Sequence, residues 1–313
     1  MVSYFTVDSI SEVTNFQKEI SNMMHGLGDN PNPNAATVVL VESIVLNQLR
    51  SMLQEAFNLS MNRGAKVITN YEIIYLMRKN KLKMKRLYDY QKKLDHIDKT
   101  RQGTLVSDSL LSGIILDDDK GTMLKRKRTH IECIKEFDEA DEVSQIKFDA
   151  IDYLRKVRAA KITESMSFEK YEAYHKARCC SFRSGYAIGK GFAKLEKWLN
   201  PNKELKITLS ALEVLCFLAY ETVAEIVDAV FLIRQDAKKK IGDPFSKFEG
   251  GHFCNPVSLN NAVYIKSGYE GVPAITVPEV REVLRRYFNP ISGMNGLFYR
   301  NMCLDLPIRY LAI

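Results

Sequence analysis

The sequence predicts an all-α protein in which one three-helix unit, short then long then short, occurs twice and the two copies pair within the chain. Three observations carry this. Thr69-Asn70-Tyr71-Glu72 and Thr276-Val277-Pro278-Glu279 stand 207 residues apart inside similar strings, Val67-Ile68 to Arg78-Lys79 and Ala274-Ile275 to Arg285-Arg286. An apolar row with three- and four-residue spacing precedes each string. A shorter amphipathic stretch, closed by turn residues, precedes each row.

In order along the chain, Phe16, Ile20, Met23, Met24 and Leu27 predict the first short helix, ended by Gly26, Gly28 and the turn region Asp29 to Pro33. Val38, Val41, Val45, Leu49, Met52, Ala56 and Leu59 form the first long row, with Leu46, Leu53 and Phe57 beside it. Such a helix, about 27 residues long, spans roughly 40 Å. Thr69 at the N-cap and Glu72 three residues on make a capping box. The run Arg78, Lys79, Lys81, Lys83, Lys85 and Arg86 continues that last helix, with Leu82, Met84, Leu87 and Tyr90 interleaved. In the second copy Phe192, Leu195, Trp198 and Leu199 give the short helix, ended at Asn200-Pro201-Asn202. Leu209, Leu212, Cys216, Ala219, Val223, Ile226, Val230 and Ile233 give the long one. Thr276 and Glu279 repeat the box, with Pro278 suited to the first turn.

This order is the histone-fold pattern. One such unit cannot cover both sides of its central helix, so it needs a second, and this chain carries two. The predicted domains are 14–96, with the basic helix at its end, and 181–290, which includes a Gly-, Asn- and Pro-containing loop at 238–271; residues 291–313 form a tail. Residues 97–180 join them. From 98 to 130 no apolar period is sustained, and a flexible stretch of about 30 residues has an r.m.s. span of roughly 30 Å, enough for the copies to meet and pair without further help. Beyond it Ile131, Ile134 and Phe137, then Ile146, Phe148, Ile151, Leu154 and Val157, suggest charged helices that lie on a partner or on the core.

Composition, with 46% hydrophobic and 27% charged residues, suits a folded protein with a sizeable core. The sequence shows no run of about 20 apolar residues and no signal-like start at Met1-Val2-Ser3-Tyr4, so no membrane is expected as a partner. Six cysteines without framework spacing predict a reducing compartment.

No catalytic residue, cofactor, metal or small-molecule substrate is expected. Gly185 to Gly191 resembles a phosphate loop, but three residues rather than four separate its first glycines, and glycine follows Lys190 where Ser or Thr would hold magnesium. His175, Cys179 and Cys180, like His252 and Cys254, lack paired ligand spacing. The net charge of +7 is concentrated in the 78–86 run and in Lys125, Arg126, Lys127 and Arg128. The first reads as a solvated helix face or, with Arg63 and Lys66, as a phosphate-binding patch of a histone-like DNA-binding protein. The second, after Asp117-Asp118-Asp119, reads as a receptor-recognised nuclear address.

Met23-Met24-His25-Gly26-Leu27-Gly28-Asp29, Val39-Leu40-Val41-Glu42, Arg63-Gly64-Ala65-Lys66-Val67-Ile68-Thr69 and Leu76-Met77-Arg78-Lys79 resemble the N-terminal histone fold of the suppressor-of-Ty-three family. Leu218-Ala219-Tyr220-Glu221-Thr222-Val223-Ala224, Ile233-Arg234-Gln235-Asp236 and Gly242-Asp243-Pro244-Phe245 resemble its C-terminal one. The resemblance implies a nuclear, non-enzymatic subunit of the SAGA transcription coactivator that meets other subunits, histone-fold proteins among them. It also implies engagement of the TATA-box-binding protein, with DNA contact weak or indirect. Because that partner is basic on its surfaces, Glu221, Glu225 and Asp228, spaced by four and three with Glu213 two turns earlier, are the expected contact: an exposed acidic stripe on the second long helix. The alternative for that stripe is a solvated outer face.

Overall fold

The first copy folds as its periodicity predicts. In the computed structural model, which describes residues 14–94, 96, 130–164, 166–184, 191–236, 272–288 and 310–313, α1 spans Gln17–Leu27, α2 Ala35–Asn62 and α3 Asn70–Met77. Gly28 ends α1 at φ 120°, and Gly64, one residue past the cap of α2, sits at φ 75°; both conformations favour glycine. Asn34 caps α2 by accepting from the Ala36 amide at 2.9 Å. Thr69 and Glu72 make the expected capping box.

The basic run does not continue α3. The chain breaks at residues 78–80 and restarts as α4 over 81–94, because Asn80 accepts from the Lys83 amide at 3.1 Å and so caps a new helix. There follow α5 at 130–136, α6 at Glu142–Gln145, α7 at Ala150–Glu164, α8 at Phe168–Arg178, α9 at Ala193–Leu199, α10 at Leu209–Asp236 and α11 at Val277–Phe288. The basic block at 125–128, the loop at 238–271, residues 185–190 and 291–309 lie outside the described residues.

The two long helices, each of 28 residues, pack on one another within one continuous core that includes Val45, Leu49, Met52, Ala219, Val223 and Ile226, all fully buried. Their flanking loops meet at both ends. At one end the segment before α3 and the segment before α10 form a parallel bridge, with the Ile68 amide donating to Lys206 O at 2.8 Å and the Thr208 amide to Ile68 O at 3.0 Å. At the other end the Asn30 side chain donates to Val272 O at 2.7 Å, the Ile275 amide to Asp29 at 2.9 Å and the Thr37 hydroxyl to Ile275 O at 2.8 Å. The capping glutamates match too. Glu72 pairs with Arg63 at the end of α2, and Glu279 pairs with Arg234 in the last turn of α10 at 2.6 Å. The bridge apart, the secondary structure of the described residues is helical, as predicted.

By length and composition α2 could cross a membrane, but half of its most apolar window is buried inside the fold, as a core helix requires. The chain's last residues also pack inward. Tyr310, Leu311 and Ala312 are buried, the Tyr287 hydroxyl donates to Tyr310 O at 2.6 Å, and the Leu311 amide donates to Gln48 at 3.0 Å.

Candidate functional site

Glu221, Glu225 and Asp228 are on one face of α10, as their spacing predicts, but that face is covered. Glu221 is only 4% exposed. Its Oε2 accepts from Lys83 Nζ at 3.1 Å and Arg86 Nη1 at 2.9 Å, while its Oε1 accepts from Arg155 Nη1 at 3.0 Å. Glu225 pairs with Lys83, with Arg86 at 3.2 Å and with Arg155 at 3.4 Å. Asp228 receives Arg155 Nε at 2.6 Å and Arg158 Nη1 at 2.8 Å. Asp149, just ahead of α7, closes the set by holding Arg86 in a two-point pair, one arm of it at 3.0 Å. Four cations meet four carboxylates.

Two helices supply the cations with the same spacing, Lys83 and Arg86 on α4 and Arg155 and Arg158 on α7, so each presents one turn of positive charge to the acidic face. Burial alone would raise the Glu221 carboxyl, but Arg155, Lys83 and Arg86 outweigh it and bring it to about 2. Asp149 is also lowered: burial opposes the shift, and the hydrogen bond from Arg86 prevails. Burial likewise works against Arg86 and Arg155, yet the carboxylates keep both guanidinium groups above their ordinary range. A charged set this enclosed is stable only when its members are paired, and here each cation meets at least one carboxylate, with Arg158 Nε the one buried donor of the set left without an acceptor among the described residues.

The expectation of an exposed acidic stripe is therefore corrected, and so is the solvated-face alternative. The physical reason is that α4 and α7 lie over the polar face of α10 and neutralise it. The basic run is corrected in the same way. Lys83 and Arg86 are buried, Lys81 pairs with Asp138 at 3.0 Å, Lys85 with Asp89 at 3.2 Å, and Arg78 stacks 3.7 Å over the Tyr75 ring. Arg63, the other cation assigned to phosphate, pairs with Glu72 and lies 4.0 Å over Tyr71. Glu213 is engaged too, by buried His130, whose other ring nitrogen lies 3.2 Å from Asn70.

The glycines of Met23 to Asp29 are where α7 and α8 land on α1. Arg158 crosses Gly28 so closely that a Cβ there would lie 2.7 Å from its Cδ, and its Nη1 donates to Leu27 O at 2.9 Å. A Cβ on Gly26 would lie 2.9 Å from the Arg178 amide of α8, whose Tyr174 hydroxyl donates to Gly26 O at 3.2 Å. Sequence reasoning missed Arg155, Arg158 and Asp149. The signal that could have found them is the matching pair of i, i+3 cations facing an i, i+4, i+7 row of acids.

Among the described residues no group of three or more His, Cys, Asp or Glu side chains is placed to hold a metal. Cys216, fully enclosed in α10, has its thiol pushed up to about 12 by burial, which makes it a packing residue.

The helical order of the first copy fits a histone-fold class of protein, and the family model for the 18-kDa subunit of transcription initiation factor IID matches residues 14–104. The SAGA complex subunit Spt3 of Drosophila melanogaster is 27% identical to this chain in an alignment covering 94% of it and 73% of the relative. The protein of the same name from Schizosaccharomyces pombe is 24% identical, with 87% and 89% covered. Subunit 13 of transcription initiation factor TFIID from Arabidopsis thaliana is 37% identical over 73 residues, 23% of this chain and 56% of that protein. These similarities bear out the resemblance to the Spt3, or suppressor-of-Ty-three, family of histone-fold transcription proteins.

Proposed function

We propose that this chain is a non-enzymatic subunit of the SAGA coactivator in the nucleus, where its two histone folds, 14–96 and 181–290, pair internally and scaffold neighbouring subunits. The observation that carries this reading is the meeting of the two copies at both loop ends, which supports a pair formed within one chain. Similarity along most of the chain to two proteins named as SAGA complex subunits supports the complex. Engagement of the TATA-box-binding protein belongs to the same reading. In it Glu221, Glu225 and Asp228 act indirectly, by fixing α4 and α7 on the pair. Lys125 to Arg128 serve as the nuclear address.

Purification of the tagged chain from its own cells, with identification of what accompanies it, tests the reading. Recovery with SAGA subunits and the TATA-box-binding protein is expected, and recovery only as a free monomer would contradict it. The DNA-binding alternative loses ground because Arg63, Lys83 and Arg86 are already committed to carboxylates. Steep, salt-dependent binding of duplex DNA by the purified chain would restore it.

A further inference from the structure

α7 buries Arg158, Ala159 and Ile162 toward its end, but its first turns leave apolar side chains outside. Arg155 and Arg158 point at α10, whereas Ile151, Tyr153 and Leu154 are 36%, 54% and 41% exposed; Phe148, just before the helix, is 64% exposed. The Phe148 and Tyr153 rings lie 5.5 Å apart. They form one wall of a cleft of about 1110 Å³ between α4 and α7, floored by Tyr90 and Phe217, whose ring centroids lie 5.3 Å apart. That is more space than the roughly 300–1,000 Å³ of small-molecule sites.

The cleft has a surplus of positive charge. Its carboxylates are already engaged: Asp89 with Lys85, Asp149 with Arg86, Asp152 with Lys156, Glu221 in the buried network and Glu213 with His130. Lys92, Lys93 and Lys147 line the same cleft, are exposed, and take part in no ion pair among the described residues. A lone apolar residue at a surface means little, but four exposed apolar side chains together, beside a cleft in which these lysines are outside any such ion pair, with Lys92 lying 4.4 Å over the Tyr88 ring, form a surface for a partner to cover.

We propose that this cleft, with the outward face of α7, docks an acidic amphipathic segment of another protein, apolar side chains set among Asp and Glu. The apolar groups would cover Phe148, Tyr153 and Leu154 while the acids meet Lys92, Lys93 and Lys147. Nucleic acid fits less well, since it would leave the apolar groups uncovered and meet Asp152 at the same rim. A second copy of this chain would bring like charges together.

The test uses the full chain and fluorescence anisotropy with a short synthetic peptide alternating Asp or Glu with Phe or Leu. One control replaces its apolar residues by Ser, and a second replaces its acids by Lys. Saturable binding of the first peptide is expected, about tenfold or more tighter than either control, and weakened about tenfold by Phe148→Ser with Tyr153→Ser and separately by Lys147→Glu. These positions are exposed, so the melting temperature should not move. Equal binding of the serine control, or no saturable binding, overturns the proposal. So does displacement by a single-stranded oligonucleotide, self-association of the chain that Phe148→Ser abolishes, or tighter binding of a peptide spanning this chain's own residues 109–119, whose Ile114-Ile115-Leu116-Asp117-Asp118-Asp119 has the same chemistry.

Discussion

Two helices of equal length occupy equivalent places in the two copies, yet α2 has a solvent face along its length, whereas α10 is covered until its last turns, where Leu232 and Gln235 are exposed. On α2, Val39, Ser43, Asn47, Arg50, Gln54, Asn58 and Met61 make a continuous exposed stripe at three- and four-residue spacing. Counted from the first residue of each helix, Ser43, Asn47 and Gln54 correspond to Phe217, Glu221 and Asp228 of α10, where the first two are buried and the third is largely covered. The polar face is in the same place on both helices. What differs is that α4 and α7 close over only one of them, so the segment joining the copies acts as a third layer of the fold.

Charge introduced at equivalent positions should break the comparison most clearly. Glu221→Lys adds a fifth cation to Lys83, Arg86, Arg155 and Arg158 and should cost at least about 3–5 kcal/mol, the loss associated with breaking a buried pair. Asn47→Lys, its counterpart on α2, should stay within about 0.5 kcal/mol. Urea unfolding of the two variants measures both, and equal costs would remove the distinction.

Acid should separate the long helices' neighbourhoods next, with opposite signs. Glu221, held down at about 2, contributes stability that is present above its unfolded value near 4.5 and is lost as pH falls toward 2. Asp29, where the loop after α1 meets the segment before α11, is raised to about 6 by burial; the Asn30 and Ile275 amides and Arg234 oppose that shift, and Glu279 adds to it. A raised carboxyl binds its proton on folding, so stability should increase by about 1 kcal/mol between pH 7 and 5. Asp29→Asn should flatten that rise and leave the loss below pH 4.5 in place, as read from urea midpoints against pH.

The smallest contrast lies in the two capping glutamates. Glu279→Ala should cost about 1–2 kcal/mol, because Arg234 is only 7% exposed and would lose its carboxylate. Glu72→Ala should cost less, since the Arg63 side chain is 51% exposed and can be hydrated. Thermal melts of both should rank them in that order.

Local pattern made much of this fold legible. The apolar rows of α2 and α10, the Thr69 capping box, the Glu279 half of the box at Thr276 and the terminating glycine at 28 all rest on neighbours within one or two turns, and each is where periodicity puts it. The acidic face of α10 was legible as a face. Its covering was not, because Arg155 and Arg158 lie some seventy residues from the carboxylates they meet, and periodicity carries no information about pairs so distant in sequence. The start of α7 compounds this. Phe148, Ile151 and Leu154 read as the inward row of an ordinary helix, whereas Arg155 and Arg158, followed by Ala159 and Ile162, make the inward contact.

Charge holds α7 to α10, so that the helix does not lie loosely over it. A double-mutant cycle between Arg155→Met and Glu221→Gln in the full chain, read by urea unfolding, measures that hold. A coupling of roughly 2–3 kcal/mol, near the upper end for contacting groups, is expected, together with earlier exchange of the α7 amides in either single variant. Additive effects within about 0.5 kcal/mol, with α7 protection unchanged, would contradict it.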